Sequence, residues 1–125
     1  MLVVEDEADI AVFLRAYFKA AGVVDVEHLV PRSAGEVVRR VRESGAGCVL
    51  LDLHLGPTTS GFEVLDALSV AGLLPGLPVL VVTADASDET ASRCRRLGAV
   101  DVYAKPFDVR DLYADVADLL GVAGR

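Results

Sequence analysis

Four places along the chain carry residues able to handle a phosphoryl group. Glu5-Asp6-Glu7 follows the apolar triplet Leu2-Val3-Val4, and a single carboxylate, Asp52, closes the run Cys48-Val49-Leu50-Leu51. Thr83, followed by the small Ala84, closes Val79-Leu80-Val81-Val82, and Lys105 stands before Pro106 just beyond another apolar stretch. If folding brings these positions together, carboxylates about 5 Å apart repel by about 3 kcal/mol per pair at an effective dielectric of 20, so a cation must sit among them. Hard carboxylate oxygens without neighbouring thiolates or clustered imidazoles suit Mg²⁺, which keeps several waters and accepts a phosphate oxygen as a further ligand. Lys105 supplies a second, fixed positive charge. Metal and ammonium together neutralise the equatorial oxygens of a phosphoryl group in transit, which makes Asp52 the candidate nucleophile. The Thr83 hydroxyl and the Ala84 N–H are donors that a phosphoryl oxygen could accept from.

The convergence depends on the elements that carry these residues. Apolar strand-like runs alternate five times with stretches of helical period, which is βα repeated. Leu2 to Val4, Val24 to Val30, Cys48 to Leu53, Val79 to Val82 and Val100 to Tyr103 read as strands, several of them continuously apolar as buried parallel strands are. In the first helix Ile10, Phe13, Leu14, Tyr17 and Ala21 form the predicted sheet-facing stripe, with Gly22 as its stop. Ser33 with Glu36 and Ser60 with Glu63 are capping-box pairs that start the second and third helices. Ser87, followed by Asp88 and Glu89, opens the fourth, where negative charge suits the helix dipole. The fifth opens near Asp108, continues the apolar stripe through Val109, Leu112, Val116, Leu119 and Leu120, and ends at Gly121. Five such units predict one doubly wound α/β domain over residues 1–125, a three-layer sandwich; a (βα)₈ barrel would need roughly 250 residues. Ligands in that architecture bind at the carboxyl ends of the strands, beside the switch in strand order. Glu5, Asp52, Thr83 and Lys105 all fall at such ends.

Composition narrows the function further. At 125 residues the chain supports a single core, and although 53% of it is apolar, no run approaches the ~18 residues of a membrane span. A net charge of -7 opposes direct attraction to nucleic-acid phosphates. Cys48 and Cys94 have neither metal-ligand spacing nor a disulfide framework and read as unpaired thiols. The start shows no basic-then-apolar leader, so the expected address is cytoplasmic.

Leu-Val-Val-Glu5-Asp6-Glu7, Leu-Leu-Asp52-Leu-His-Leu, Val-Val-Thr83-Ala84 and Lys105-Pro106-Phe107, in this order and at successive strand ends, resemble the response regulator receiver domains of two-component systems. The resemblance spans nearly the whole chain. It implies a flavodoxin-like strand order 2-1-3-4-5 and a phosphoacceptor that turns over no separate substrate. By the resemblance Glu5 and Asp6 are the acidic pair that holds Mg²⁺ with Asp52 and the His54 backbone carbonyl. Asp52 takes the phosphoryl group, Thr83 is the switch hydroxyl and Lys105 the phosphate-binding lysine, ahead of a cis Pro106. The implied partners are a histidine kinase or phosphotransfer protein upstream and an output domain or protein downstream.

Two positions depart from the family pattern. The glycine that usually stands eight residues after the phosphoacceptor is here Gly61, nine on, so the loop holds one extra residue. The aromatic usually found three residues before the lysine is Val102, and strand alternation sends the adjacent Tyr103 to the other face. His54, two residues after Asp52, is positioned to slow attack of water on an aspartyl phosphate.

Each feature also has a plainer reading. Glu5 to Glu7 could be first-turn acids of a helix, Lys105 a solvated strand-end charge, and Thr83 a β-branched strand residue. A carboxylate ending an apolar run, however, is costly to desolvate unless paired or metal-bound, which favours a functional Asp52. His28, Tyr103 and Tyr113 read as structural. Arg93, Arg95 and Arg96 read as a solvated face, with a homodimer through the fourth helix, fifth strand and fifth helix as the alternative. The rival functions are a degenerate receiver acting as a phosphorylation-independent binding module and an aspartyl-phosphate phosphohydrolase. The second lacks its usual acid–base Asp, since His54 holds that place. A flavin carrier is disfavoured by acids where its phosphate loop would be.

Overall fold

The structure, a computed structural model, describes residues 1–22, 25–57 and 59–121. In chain order it comprises β1 (Leu2–Val4), α1 (Ala8–Ala20), β2 (Glu27–Leu29), α2 (Ala34–Ser44), β3 (Val49–Asp52), α3 (Gly61–Val70), β4 (Val79–Thr83), α4 (Asp88–Arg96), β5 (Asp101–Ala104) and α5 (Val109–Leu120). The strands are all parallel, in the order β2-β1-β3-β4-β5. The expected doubly wound sheet is therefore present, and the order reverses beside β1 and β3, where Glu5 and Asp52 lie.

Every residue of β1, β3 and β4 is buried, because helices cover both faces. Strand alternation divides the core. Leu2, Val4, Leu51, Val79 and Val81 pack under α2, α3 and α4, with Val37, Leu65 and Cys94 among their partners. Val3, Leu50, Leu80 and Val82 pack under α1 and α5, against Leu14, Phe18 and Val116. Each such Val or Leu contributes roughly 1.5–3 kcal/mol of transfer free energy. Cys48 and Cys94 are both buried free thiols.

The helix starts follow the predicted chemistry. Ser33 Oγ accepts from the Glu36 N–H, Ser60 Oγ from Glu63 N–H, and Ser87 Oγ from Thr90 N–H, while Asp108 caps α5 through the Arg110 N–H. Gly121 closes α5 in the left-handed conformation, φ 67°.

The α1 stripe needs correction. Its buried face is Ala11, Leu14 and Phe18, with Ile10 and Tyr17 partly covered; Phe13 is 50% exposed, and Ala21 lies at the exposed C-cap. Tyr17 and Phe18 are neighbours of similar bulk, and periodicity alone does not say which faces inward. The purely apolar Phe18 goes under, edge-on to Tyr113 at 5.5 Å, leaving the amphipathic Tyr17 at the rim. In α5 the buried residues are Leu112, Val116 and Ala117, while Leu119 is 37% exposed. Strand ends shift as well: β5 runs one residue later than expected, and β2 is confined to Glu27–Leu29, with Val24 outside the described residues. No helix among the described residues is long and apolar enough to cross a membrane.

Candidate active site

The carboxyl ends of β1, β3 and β5 bring together side chains about a hundred positions apart in sequence. Lys105 Nζ donates to Asp52 Oδ2 at 3.0 Å and to Glu5 Oε2 at 3.2 Å, and reaches Glu7 Oε1 at 3.4 Å. Carboxylate oxygens of Glu5, Asp6, Glu7 and Asp52 all lie within 4.8 Å of one another. Glu5 and Asp52 are buried, whereas Asp6 and Glu7 face solvent. The site is thus an acidic depression with a dry floor and a wet rim, crossed by one ammonium group. The cleft lined by Met1, Asp25, Ser44, Gly47 and Leu120 is a separate feature, lying at the amino-terminal ends of the strands.

Electrostatics follow from that arrangement. Burial pushes the Glu5 carboxyl up to about 8, and the adjacent Asp52 pushes the same way through a hydrogen bond and its charge; the Glu7 N–H and Lys105 oppose them. Desolvation acts to lower Lys105, but its hydrogen bond to Asp52 and the charges of Asp52 and Glu5 outweigh it and hold the ammonium above its ordinary range. Lys105 therefore stays charged. The donor set is oxygen only, with four carboxylates against one cation, which is the chemistry of a hard divalent ion such as Mg²⁺.

The other expected residues surround this cluster. The His54 N–H donates to Asp52 Oδ1 at 3.0 Å, and the His54 side chain is exposed. The hydrogen bonds that Asp85 accepts from Thr90 and Ser87 hold its carboxyl below the ordinary carboxylate range. Thr83 is fully buried at the end of β4, and its Oγ1 accepts from the Asp85 N–H at 3.1 Å. Ala84 follows it at the surface. The Lys105–Pro106 peptide is cis.

The loop after β3 closes on itself. The Gly61 N–H donates to the Leu53 carbonyl at 2.9 Å, and His54 and Ser60 form an antiparallel bridge. Thr59 in this loop is buried with its hydroxyl donating to the Arg32 carbonyl at 3.4 Å, and Thr58 lies outside the described residues. Val102 packs with the α2–α4 side of the core and Tyr103 with the α1–α5 side, as alternation requires, and the Tyr103 hydroxyl donates to Asp115.

Three features escaped the sequence reading. Glu7 joins the cluster through Lys105, which only the β5 end could reveal. His28, read as structural, bonds the Glu5 main chain. Arg93 is not simply solvated but lies over the Phe62 ring at 3.8 Å, and Arg95 pairs with Asp101 of the same chain at 3.0 Å.

Comparison with known proteins supplies a family. The family model for the response regulator receiver domain matches residues 1–117. The transcriptional regulatory protein ZraR of Escherichia coli K12 is 30% identical over 96% of the chain. The chain spans about a quarter of the length of the curated relatives it matches, 26% of ZraR and of the Vibrio vulnificus regulatory protein LuxO. Among solved structures, the signal receiver domain of a putative LuxO repressor protein from Vibrio parahaemolyticus superposes with TM-score 0.83 at 28% identity, covering 96% of this chain and 88% of that one. The receiver domain of NtrX from Brucella abortus gives 0.80 at 27% identity, covering 98% of both.

Proposed function

Since this chain belongs to the response regulator receiver domain family, a signalling family, we propose that Asp52 accepts a phosphoryl group from a histidine kinase or phosphotransfer protein, with Mg²⁺ bound beside it, and that the resulting change controls an output domain or partner. The observation that carries this reading is the Lys105 ammonium lying 3.0 Å from Asp52 and 3.2 Å from Glu5 at the edge where the sheet order reverses.

Glu5, Asp6 and Asp52 would hold the metal, with the His54 carbonyl as a further ligand and Glu7 within reach. When bound, the ion supplies positive charge that offsets the equatorial oxygens of the phosphoryl group. An Asp52 oxygen attacks phosphorus as the P–N bond of the donor's phosphohistidine breaks; the electron pair stays on the imidazole nitrogen, which takes a proton from solvent. Lys105 gives up part of its contact with Asp52 and follows the new oxygens as a charge-assisted donor. Ala84 offers its N–H. Thr83 turns its hydroxyl from the Asp85 N–H toward a phosphoryl oxygen, which frees the β4–α4 turn where Asp85 and Ser87 cap α4. With Val102 in place of an aromatic, the signal leaves through this turn and not through a swinging ring. Water later cleaves the O–P bond, so the domain, which we place in the cytoplasm, modifies itself and turns over no separate substrate.

The test is incubation of the protein with Mg²⁺ and a small phosphodonor, followed by intact mass. One added phosphoryl group, absent in Asp52→Asn, is expected; an unmodified parent would leave the degenerate binding module as the better account. The molecular size of the phosphorylated form tests the homodimer.

A further inference from the structure

We propose that His28 positions the metal-binding turn by standing in for a backbone donor that Pro31 lacks. The inference rests on the phosphoacceptor reading above and concerns how its acidic pair is held.

The β1–β2 ladder shows the gap. The Glu27 N–H donates to the Met1 carbonyl at 3.0 Å, Val3 is paired with His28, and the Glu5 N–H donates to the Leu29 carbonyl at 3.2 Å. In a parallel ladder this spacing assigns the next rung to the N–H of residue 31, directed at the Glu5 carbonyl. Residue 31 is a buried proline and has no N–H. His28 Nε2 lies 2.7 Å from that same carbonyl oxygen. A carbonyl only accepts, so Nε2 carries the hydrogen and the side chain fills the missing rung.

The consequence reaches the site through the peptide plane. The Glu5 carbonyl belongs to the Glu5–Asp6 peptide, so fixing it orients Asp6 and Glu7 relative to Glu5. Glu5 is then held at its N–H by Leu29, at its carbonyl by His28 and at its carboxylate by Lys105 and the Glu7 N–H. Without His28 the peptide plane is free to rotate, and the acidic ligands lose their common orientation. Partners that orient metal ligands in this way affect metal affinity by roughly 10–100-fold.

Mg²⁺ alone, titrated calorimetrically into the full chain, is the probe. His28→Leu is expected to weaken Mg²⁺ binding about 10-fold or more. His28→Gln, which keeps an Nε2–H, should bind as the parent does, and His28→Leu combined with Pro31→Ala should recover affinity because an alanine in place of the proline restores the backbone donor. Parental affinity in His28→Leu, or no recovery in the double variant, overturns the proposal. The ¹⁵N shifts of the His28 ring in the parent provide a check that needs no variant: a protonated Nε2 supports it, and a bare Nε2 with a protonated Nδ1 overturns it. A parent that binds no Mg²⁺ sinks the phosphoacceptor reading as well, whereas parent binding with indifferent variants removes only the role of His28.

Discussion

Gly61 stands directly against the main chain of Asp52. A Cβ at Gly61 would lie 2.7 Å from the Asp52 carbonyl oxygen and 2.7 Å from the Leu53 Cα, closer than real side chains come to backbone. The floor beneath the candidate phosphoacceptor is therefore shaped by the absence of a side chain at the first residue of α3. Gly61→Ala is expected to destabilise the fold by about 1–3 kcal/mol and to slow phosphorylation by displacing Asp52. Urea midpoints and phosphodonor kinetics check both halves, and a variant as stable and as fast as the parent would show that the backbone yields freely.

Lys105 is the only cation that reaches the cluster among the described residues, touching Glu5, Glu7 and Asp52. Lys105→Met leaves the buried Asp52 carboxylate without its cation, a loss of roughly 3–5 kcal/mol when one partner of a buried pair is removed. Phosphorylation at saturating Mg²⁺ should slow by about 10²-fold, as when a preorganised donor to developing charge is removed. The rise in melting temperature caused by Mg²⁺ should be larger in the variant than in the parent, because the ion then supplies the missing charge. An equal or smaller rise would argue that the lysine and the metal do not share these carboxylates.

The buried Cys48 thiol gives a pH signature. Desolvation pushes it up to about 11 from an ordinary 9.0. Between those values the unfolded chain has lost the thiol proton and the folded chain keeps it, so the unfolded state binds fewer protons and stability falls as pH rises, by about 1.4 kcal/mol per unit at most. Below pH 9 the contribution is fully present. Urea unfolding from pH 8 to 11 should show the fall, and Cys48→Ala, though weaker throughout, should show a flatter one. Native Cys48 and Cys94 should resist a thiol reagent at pH 8 until urea is added; prompt labelling of either would contradict their burial.

His54 meets the site through its N–H, which donates to Asp52 Oδ1 at 3.0 Å, and its side chain is exposed. An exposed ring beside Asp52 would stand between solvent and a phosphoryl group there. His54→Ala keeps the N–H and removes the ring, so the aspartyl phosphate should decay several-fold faster than in the parent. Decay rates followed by intact mass decide the matter, and an unchanged lifetime removes the shielding role.

Much of the scaffold was legible because it rests on local rules. Apolar runs of strand length, the Ser33, Ser60 and Ser87 caps, and Gly121 each act within a few residues, and the helices and strands formed where those signals stood. The strand-end placement of Glu5, Asp52, Thr83 and Lys105 was also readable, since a doubly wound sheet aligns the carboxyl ends of its strands. Less legible was the choice between adjacent residues of like character. Phe18 is fully buried and Tyr17 only partly covered, although both rings stand edge-on to Tyr113 of α5, a contact that no local pattern shows.

The sequence by itself determined the alternation of elements, the order of the sheet through its family resemblance, and which residue types stand at the strand ends. Only the tertiary structure decided that Glu7 shares Lys105 with Glu5 and Asp52, that Gly61 presses on Asp52, and that His28 bonds the Glu5 carbonyl where Pro31 cannot. Each of these is a contact between separate segments, with its partner set by register and crossover packing. Local patterns specify an element and its buried face to within a residue or so; contacts of about 3 Å between elements are fixed only when the layers close on one another.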